Sequence, residues 1–137
     1  MGWILNVSMQ RVIDGDHVNP GKNSMLIQIV NPDMEFPVPK FKFSVVHQFK
    51  FLDLEATDDW GHSEKITDTQ AKEIVDALSF AIKNDMNVIV HCIVGACRSG
   101  AVCEVGVMMG LKDRNAHRIP NLLVKYKLMK VLGYCYE

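Results

Sequence analysis

Two residues six positions apart, Cys92 and Arg98, are the strongest indication of chemistry in this sequence. Residues 87–90 before them form an apolar run that predicts a buried strand, and the small apolar residues after Arg98 predict a helix to about Gly110. In an open α/β sheet, ligands bind at the carboxyl ends of the strands, which is where the loop between this strand and this helix would lie. We therefore expect residues 92–98, called the anion loop below, to bind an anion.

The anion loop can supply three kinds of positive group. Its backbone N–H groups can curl around an anion, the helix N-terminus adds further N–H donors, and Arg98 can hold two phosphate oxygens at once. The same groups favour a thiolate at Cys92, and a thiolate beside a bound phosphate can attack phosphorus. Gly95 gives the loop the backbone freedom to curl. The backbone donors are expected from Ile93, Val94, Gly95, Ala96, Cys97 and Arg98.

Each feature alone has an ordinary explanation. A strand cysteine is often simply buried, and an arginine at a helix start is often a surface residue. The combination of both residues in a strand–loop–helix context, with His91 and Ser99 beside them, favours a functional site.

The segment His91-Cys92-x-x-Gly95-x-x-Arg98-Ser99 resembles the H-C-x-x-G-x-x-R-[ST] loop of the protein tyrosine phosphatase superfamily, and the size of the chain is similar to that of its compact dual-specificity-like branch. The resemblance implies that Cys92 attacks phosphorus and forms a phosphocysteine, with Arg98 and the loop amides binding phosphate. It implies that Ser99 eases the departure of Cys92, and that His91 orients the loop and helps to keep the thiolate.

The resemblance also implies a general acid on a mobile loop upstream of the cysteine. An aspartate there protonates the leaving group and later activates water. Asp58 and Asp59 follow a predicted strand over residues 49–54, and we favour Asp58, with Asp59 as the alternative. Asp53 and Glu55 fall within the strand pattern and are weaker candidates.

A second cysteine, Cys97, immediately precedes Arg98. A cysteine at this position is similar to the C-x-x-x-x-C-R-S loop of the low-molecular-weight tyrosine phosphatases, in which it can form a disulfide with the nucleophile. The resemblance implies a reversible redox switch between Cys92 and Cys97. The alternative is that Cys97 is a small residue on the wall of the loop.

The remaining elements must position the anion loop. Residues 3–7 and 25–30 predict strands, and a capping box at Thr67 and Gln70 predicts a helix that ends at residues 84–85. A last helix is predicted to begin near Pro120, which suits a first helical turn, and to stop at Gly133. Strands that alternate with helices predict an α/β fold, with a mostly parallel central sheet flanked by helices on both faces, like that of the dual-specificity phosphatases.

Length, composition and charge limit the function. The 137 residues fit a single domain over 1–137, and the net charge of −1 argues against binding to nucleic acid or to a membrane surface through bulk positive charge. The sequence lacks a membrane-spanning run and a signal peptide at its start, so we expect a cytoplasmic protein. We also expect a monomer. The cysteine spacings differ from those of zinc sites, and we expect no metal and no cofactor.

These observations together predict a cysteine-dependent protein phosphatase. The anion loop contains no lysine, which favours phosphotyrosine in a phosphorylated protein over highly charged lipids, with phosphoserine and phosphothreonine as further candidates. Two other functions remain open: a phosphate-binding module with weak or no turnover, and an arsenate reductase that uses the pair Cys92 and Cys97.

Overall fold

A computed structural model describes residues 1–54 and 64–134 of the chain. Within these residues the strands are β1 (Trp3–Ser8), β2 (Ser24–Val30), β3 (Val45–Lys50), β4 (Asn87–Cys92) and β5 (Lys112–Asp113). The helices are α1 (Met9–Asp14), α2 (Asp68–Lys83), α3 (Arg98–Met109) and α4 (Leu122–Val131). No helix in the described ranges is long and apolar enough to span a membrane.

The strands form one all-parallel sheet in the order β3-β2-β4-β1-β5. Every residue of β2 is buried, as expected for an apolar strand covered on both faces. The register pairs Ser8 of β1 with Cys92 of β4, so the carboxyl ends of these two strands lie side by side. This edge of the sheet carries the anion loop.

Helices cover both faces of the sheet, but unequally. α2, α3 and α4 pack on one face, where their apolar side chains form the main core with Ile4, Ile27 and Val90. On the other face, Val12 of the short helix α1 packs in a smaller cluster with Leu26. The predicted α/β fold with helices on both faces is confirmed.

The helix predicted from the capping box at Thr67 and Gln70 is α2, and it begins where the capping box indicates. The Thr67 side chain accepts a hydrogen bond from the Gln70 backbone N–H (3.0 Å), and the Gln70 side chain accepts one from the Thr67 N–H (2.9 Å). Both members of the capping box are therefore present, and α2 runs to Lys83 with Asn84 as its C-cap.

Some element boundaries differ from the predicted ones. The strand predicted over 49–54 is β3, which ends at Lys50, because the chain turns away after the Phe51 N–H binds the Val30 carbonyl (3.1 Å). The last helix begins after Pro120, because the side chain of Asn121 caps it by accepting from the Val124 N–H (3.0 Å). That helix ends at residue 131 with Leu132 as its C-cap, and Gly133, the predicted stop, follows directly with a φ of +92°. The sequence patterns also did not predict the short elements α1 and β5.

Candidate active site

The sulfur of Cys92 lies buried at the carboxyl end of β4, with 2% of the residue exposed. The Gly95 backbone N–H donates to the Cys92 Sγ (3.3 Å), and the Ser99 Oγ lies 3.2 Å from the same atom. Hydrogen-bond donors at this distance can stabilise a sulfur that leaves with negative charge. The Ser99 Oγ is therefore within hydrogen-bond distance of the sulfur, and its role in the departure of Cys92 stays a prediction.

The carbonyl groups of the anion loop bond to the protein around it. The Ile93 carbonyl accepts from the Met9 N–H (3.2 Å), and the Gly95 carbonyl accepts from the Asn6 Nδ2 (2.7 Å). The Ala96 and Cys97 carbonyls accept from the backbone N–H groups of residues 119 and 121, both at 3.0 Å. Because these carbonyls point outward, the N–H groups of the curled loop are left to face its interior, which is the arrangement that binds an anion.

Gly95 is the residue that lets the loop curl against β1. Its φ of +88° lies in the left-handed region, which residues with a side chain rarely adopt. A Cβ atom at this position would lie 2.3 Å from the Ser8 backbone nitrogen and 2.4 Å from the Val7 carbonyl carbon. The site thus requires glycine for its conformation and also for the space that it occupies.

The guanidinium of Arg98 is held from one side. Arg98 is 4% exposed, and its Nη1 donates to the Asn31 Oδ1 and to the Phe51 carbonyl, both at 2.7 Å. Its Nε is buried and has no hydrogen-bond partner among the described residues. Because a buried donor without a partner is costly, the Nε is well suited to bind an anion in the loop. Asn31, which follows β2 at the same sheet edge, was not predicted from the sequence.

The N-terminus of α3 adds to the positive potential. Cys97 is the N-cap residue of α3 and makes no side-chain capping bond, and the first turn of the helix contains no acidic residue. The N–H groups of a first turn without such a cap can bind an anion. The other predicted phosphate-binding residues differ in exposure: Val94 is exposed, and Ile93 and Ala96 are half-buried.

Cys97 contacts an aspartate from a different part of the chain. Burial raises the pKa of the Cys97 thiol, and the negative charge of the hydrogen-bonded Asp53 raises it further. The Asp53 Oδ1 also accepts from the Asn121 Nδ2 (2.6 Å), and the same amide nitrogen donates to the Leu54 carbonyl (3.1 Å). Asn121 therefore connects the anion loop with the segment that follows β3.

An ion-pair cluster fixes the segment that braces the loop, residues 117–121. Arg118 pairs with Asp113 (2.7 Å) and with Glu104 (3.3 Å), and Lys125 also pairs with Glu104 (2.6 Å). Hydrogen bonding to these cations lowers the pKa of both carboxyl groups. The cluster thus holds the bracing segment against α3, where a Cβ on Gly100 would lie 2.9 Å from the Arg118 Cβ.

His91 is fully buried next to the nucleophile. Burial lowers the pKa of its imidazole to about 4, so the ring is neutral at pH 7. Its Nδ1 lies 3.2 Å from the Cys92 carbonyl oxygen, and the Nδ1–H can donate to it. This geometry supports the predicted role of His91 in orienting the loop. A neutral ring cannot supply charge to keep the thiolate, so that part of the prediction lacks support.

The candidate acids, Asp58 and Asp59, lie outside the described residues, and Leu54 is the last described residue before them. Cys92, Cys97 and Cys103 are free thiols. Among residues 1–54 and 64–134, no three histidine, cysteine or acidic side chains are grouped so that they could hold a metal ion.

Comparison with known proteins identifies the fold. No protein-family model matches the sequence, and a search of curated proteins gave no match. One similar crystal structure is that of human DUSP28, at 16% identity, with a TM-score of 0.62 over 95% of this chain and 91% of that chain. Another is a mouse putative dual specificity phosphatase complexed with zinc tungstate, at 20% identity, with a TM-score of 0.52 over 80% and 69% of the two chains. The chain therefore has the compact fold of the dual-specificity phosphatases of the protein tyrosine phosphatase superfamily.

Proposed function

We propose that this chain is a cysteine-dependent protein phosphatase that hydrolyses phosphotyrosine through a phosphocysteine intermediate on Cys92. The observation that carries the proposal is that four carbonyl groups of the anion loop accept hydrogen bonds from the protein outside the loop, while Cys92 lies buried within it. This arrangement leaves the loop amides and the Arg98 Nε for the phosphate oxygens. The fold shared with dual-specificity phosphatases supports the same class of reaction.

In the first step, the Cys92 thiolate attacks phosphorus while the ester P–O bond breaks. The electron pair of that bond passes to the leaving oxygen, which takes a proton from Asp58. The loop amides and Arg98 hold the three equatorial oxygens, and this electrostatic stabilisation is the main contribution to phosphoryl transfer. The tether of Arg98 to Asn31 and Phe51 keeps its guanidinium in place without rearrangement during the reaction.

In the second step, water attacks the phosphocysteine and gives its proton to Asp58, while the S–P bond breaks and Cys92 leaves as a thiolate. The Ser99 Oγ, 3.2 Å from the sulfur, donates its hydrogen to the developing charge. Inorganic phosphate then leaves the loop. The same aspartate therefore acts as acid and then as base.

An arsenate reductase would need Cys97 as a second thiolate in every turnover, whereas the phosphatase needs only Cys92. Burial and the Asp53 carboxylate raise the pKa of the Cys97 thiol, which lowers its thiolate fraction for a reductase and for the redox switch alike. The phosphate-binding module without turnover remains the alternative, and the measurement of turnover separates the two functions.

The test uses p-nitrophenyl phosphate as a small substrate. We expect wild type to hydrolyse it and Cys92→Ser to be inactive, with Cys103→Ser, another free thiol, as the matched control that retains activity. Intact mass spectrometry of Ser99→Ala during turnover should show accumulated phosphoenzyme. Activity in Cys92→Ser would contradict the proposal, and phosphate binding by wild type without turnover would support the binding module instead.

A leaving-group series identifies the acid. Loss of a general acid slows poor leaving groups more than good ones. We expect Asp58→Asn to lower kcat for phenyl phosphate much more than for p-nitrophenyl phosphate, and Asp59→Asn to affect both equally. The reverse pattern would assign the acid to Asp59.

A further inference from the structure

Large apolar side chains are exposed around the anion loop. Val94 is 75% exposed, Leu122 is 67% exposed and Ile119 is 62% exposed. In the described residues only Met1 and Val38, among the large apolar side chains, are more exposed than these three. Isolated exposed apolar residues are ordinary, but a group of them beside a ligand site indicates a binding surface. We call Val94, Ile119 and Leu122 the apolar rim.

Backbone contacts place the members of the apolar rim beside the anion loop. Val94 belongs to the loop itself. The Ile119 N–H binds the Ala96 carbonyl, and the N–H of Asn121, next to Leu122, binds the Cys97 carbonyl, both at 3.0 Å. Tyr126 follows Leu122 by four residues on α4 and is 40% exposed, so it extends the same helix face.

The charged residues near the apolar rim already have ionic partners. Between residues 117 and 126 the basic side chains, apart from His117, are Arg118 and Lys125. Arg118 pairs with Asp113 and Glu104, and Lys125 pairs with Glu104. Within the described segment 117–126 the rim therefore offers apolar contact area, and the two cations of that segment are already paired.

We propose that the apolar rim binds a large apolar side chain adjacent to the phosphorylated tyrosine of a protein substrate. The proposal rests on the proposed function, because the anion loop must hold the phosphate for the flanking residue to reach the rim. A leucine or phenylalanine on the rim removes apolar surface of both partners from water. An aspartate there would lose hydration without gaining Arg118 or Lys125 as a partner, since both are already paired.

The test compares two phosphotyrosine peptides that differ only in the residues flanking the phosphotyrosine, leucine in one and aspartate in the other. We expect wild type to show a kcat/KM roughly tenfold higher for the leucine peptide, which corresponds to burial of about one apolar side chain. Leu122→Gln should lower this ratio about fivefold and leave the kcat/KM for p-nitrophenyl phosphate unchanged. Ile119→Ser should lower the ratio as well.

Val131→Gln is the matched control. Val131 is also exposed on α4, but nine residues beyond Leu122, or about 13 Å along the helix. The control should keep the wild-type ratio, and thermal unfolding of both variants checks that each is folded. A wild type with equal kcat/KM for the two peptides, or a folded Leu122→Gln with an unchanged ratio, overturns the proposal.

A failure of the apolar-rim proposal can be distinguished from a failure of the proposed phosphatase function. Turnover of p-nitrophenyl phosphate reports on the anion loop alone, since this substrate has no flanking residues. If the chain binds phosphate without hydrolysing it, fluorescence anisotropy of the same two peptides gives the ratio of their Kd values. A leucine preference that Leu122→Gln removes then supports the rim, and equal Kd values overturn it.

Discussion

Replacement of Gly95 by alanine should disrupt the anion loop in two ways. A residue with a side chain at a φ of +88° costs about 1–2 kcal/mol. The new Cβ would also lie 2.3 Å from the Ser8 nitrogen, where the neighbours are backbone atoms of β1 that cannot turn aside. Such overpacking costs about 1–3 kcal/mol. We therefore expect the free energy of unfolding to fall by about 2–5 kcal/mol.

The effect on catalysis follows from the same contact. The loop must move by about 1 Å to restore an ordinary distance between the Cβ and the Ser8 nitrogen, and a misplacement of that size costs on the order of 100-fold in rate. That shift would also disturb the bonds of Gly95 to the Cys92 Sγ and the Asn6 Nδ2. The kcat/KM for p-nitrophenyl phosphate, measured below the unfolding temperature, gives the loss directly.

Gly21→Ala is the matched control for this variant. Gly21 has a similar φ of +82°, but a Cβ there would meet no atom of residues 1–54 and 64–134 within 4 Å. The free energy of unfolding of the control should fall only by the conformational cost of about 1–2 kcal/mol, and its activity should be unchanged. Urea unfolding compares the two variants. The reasoning would be refuted if Gly95→Ala were no less stable than Gly21→Ala and had a kcat/KM within about fivefold of wild type.

Two further predictions concern titration and oxidation. The pKa of buried His91 is lowered to about 4, so between pH 6.5 and pH 4 the unfolded chain binds more protons than the folded one. Stability should fall as the pH falls through this range, by up to about 1.4 kcal/mol per pH unit, and His91→Gln should remove this component. Urea unfolding of wild type and His91→Gln at several pH values measures how the stability of each protein depends on pH. An equal dependence in the two proteins would contradict the assignment to His91. After mild peroxide and then a thiol reductant, wild type should recover more activity than Cys97→Ser. Because the pKa of Cys97 is raised, intact mass should show faster formation of the Cys92–Cys97 disulfide as the pH rises above neutral. Equal recovery by the two proteins would exclude the switch.

Local patterns in the sequence were sufficient for much of the fold. The apolar runs of β1, β2 and β4 and the capping box of α2 depend on neighbouring residues, and the structure confirms them. The motif from His91 to Ser99 led to the dual-specificity-phosphatase fold, which the solved structures confirm. The end of β3 was predicted wrongly, because residues 51–54 continue its apolar alternation, although from Leu52, whose N–H binds the Glu64 carbonyl, the chain bonds outside the sheet.

The sequence by itself determined the chemical groups of the site: a cysteine, an arginine six positions later, and a glycine between them. Only the tertiary structure decided how these groups are held. Asn6 binds carbonyls of Gly95 and His117, which are 89 and 111 positions away, and Asn31 holds Arg98 across 67 positions. Periodicity and capping report on residues within a few positions of one another, whereas these contacts depend on which strands are neighbours in the sheet. The neutral state of His91 has the same origin, because burial on a central strand lowers its pKa.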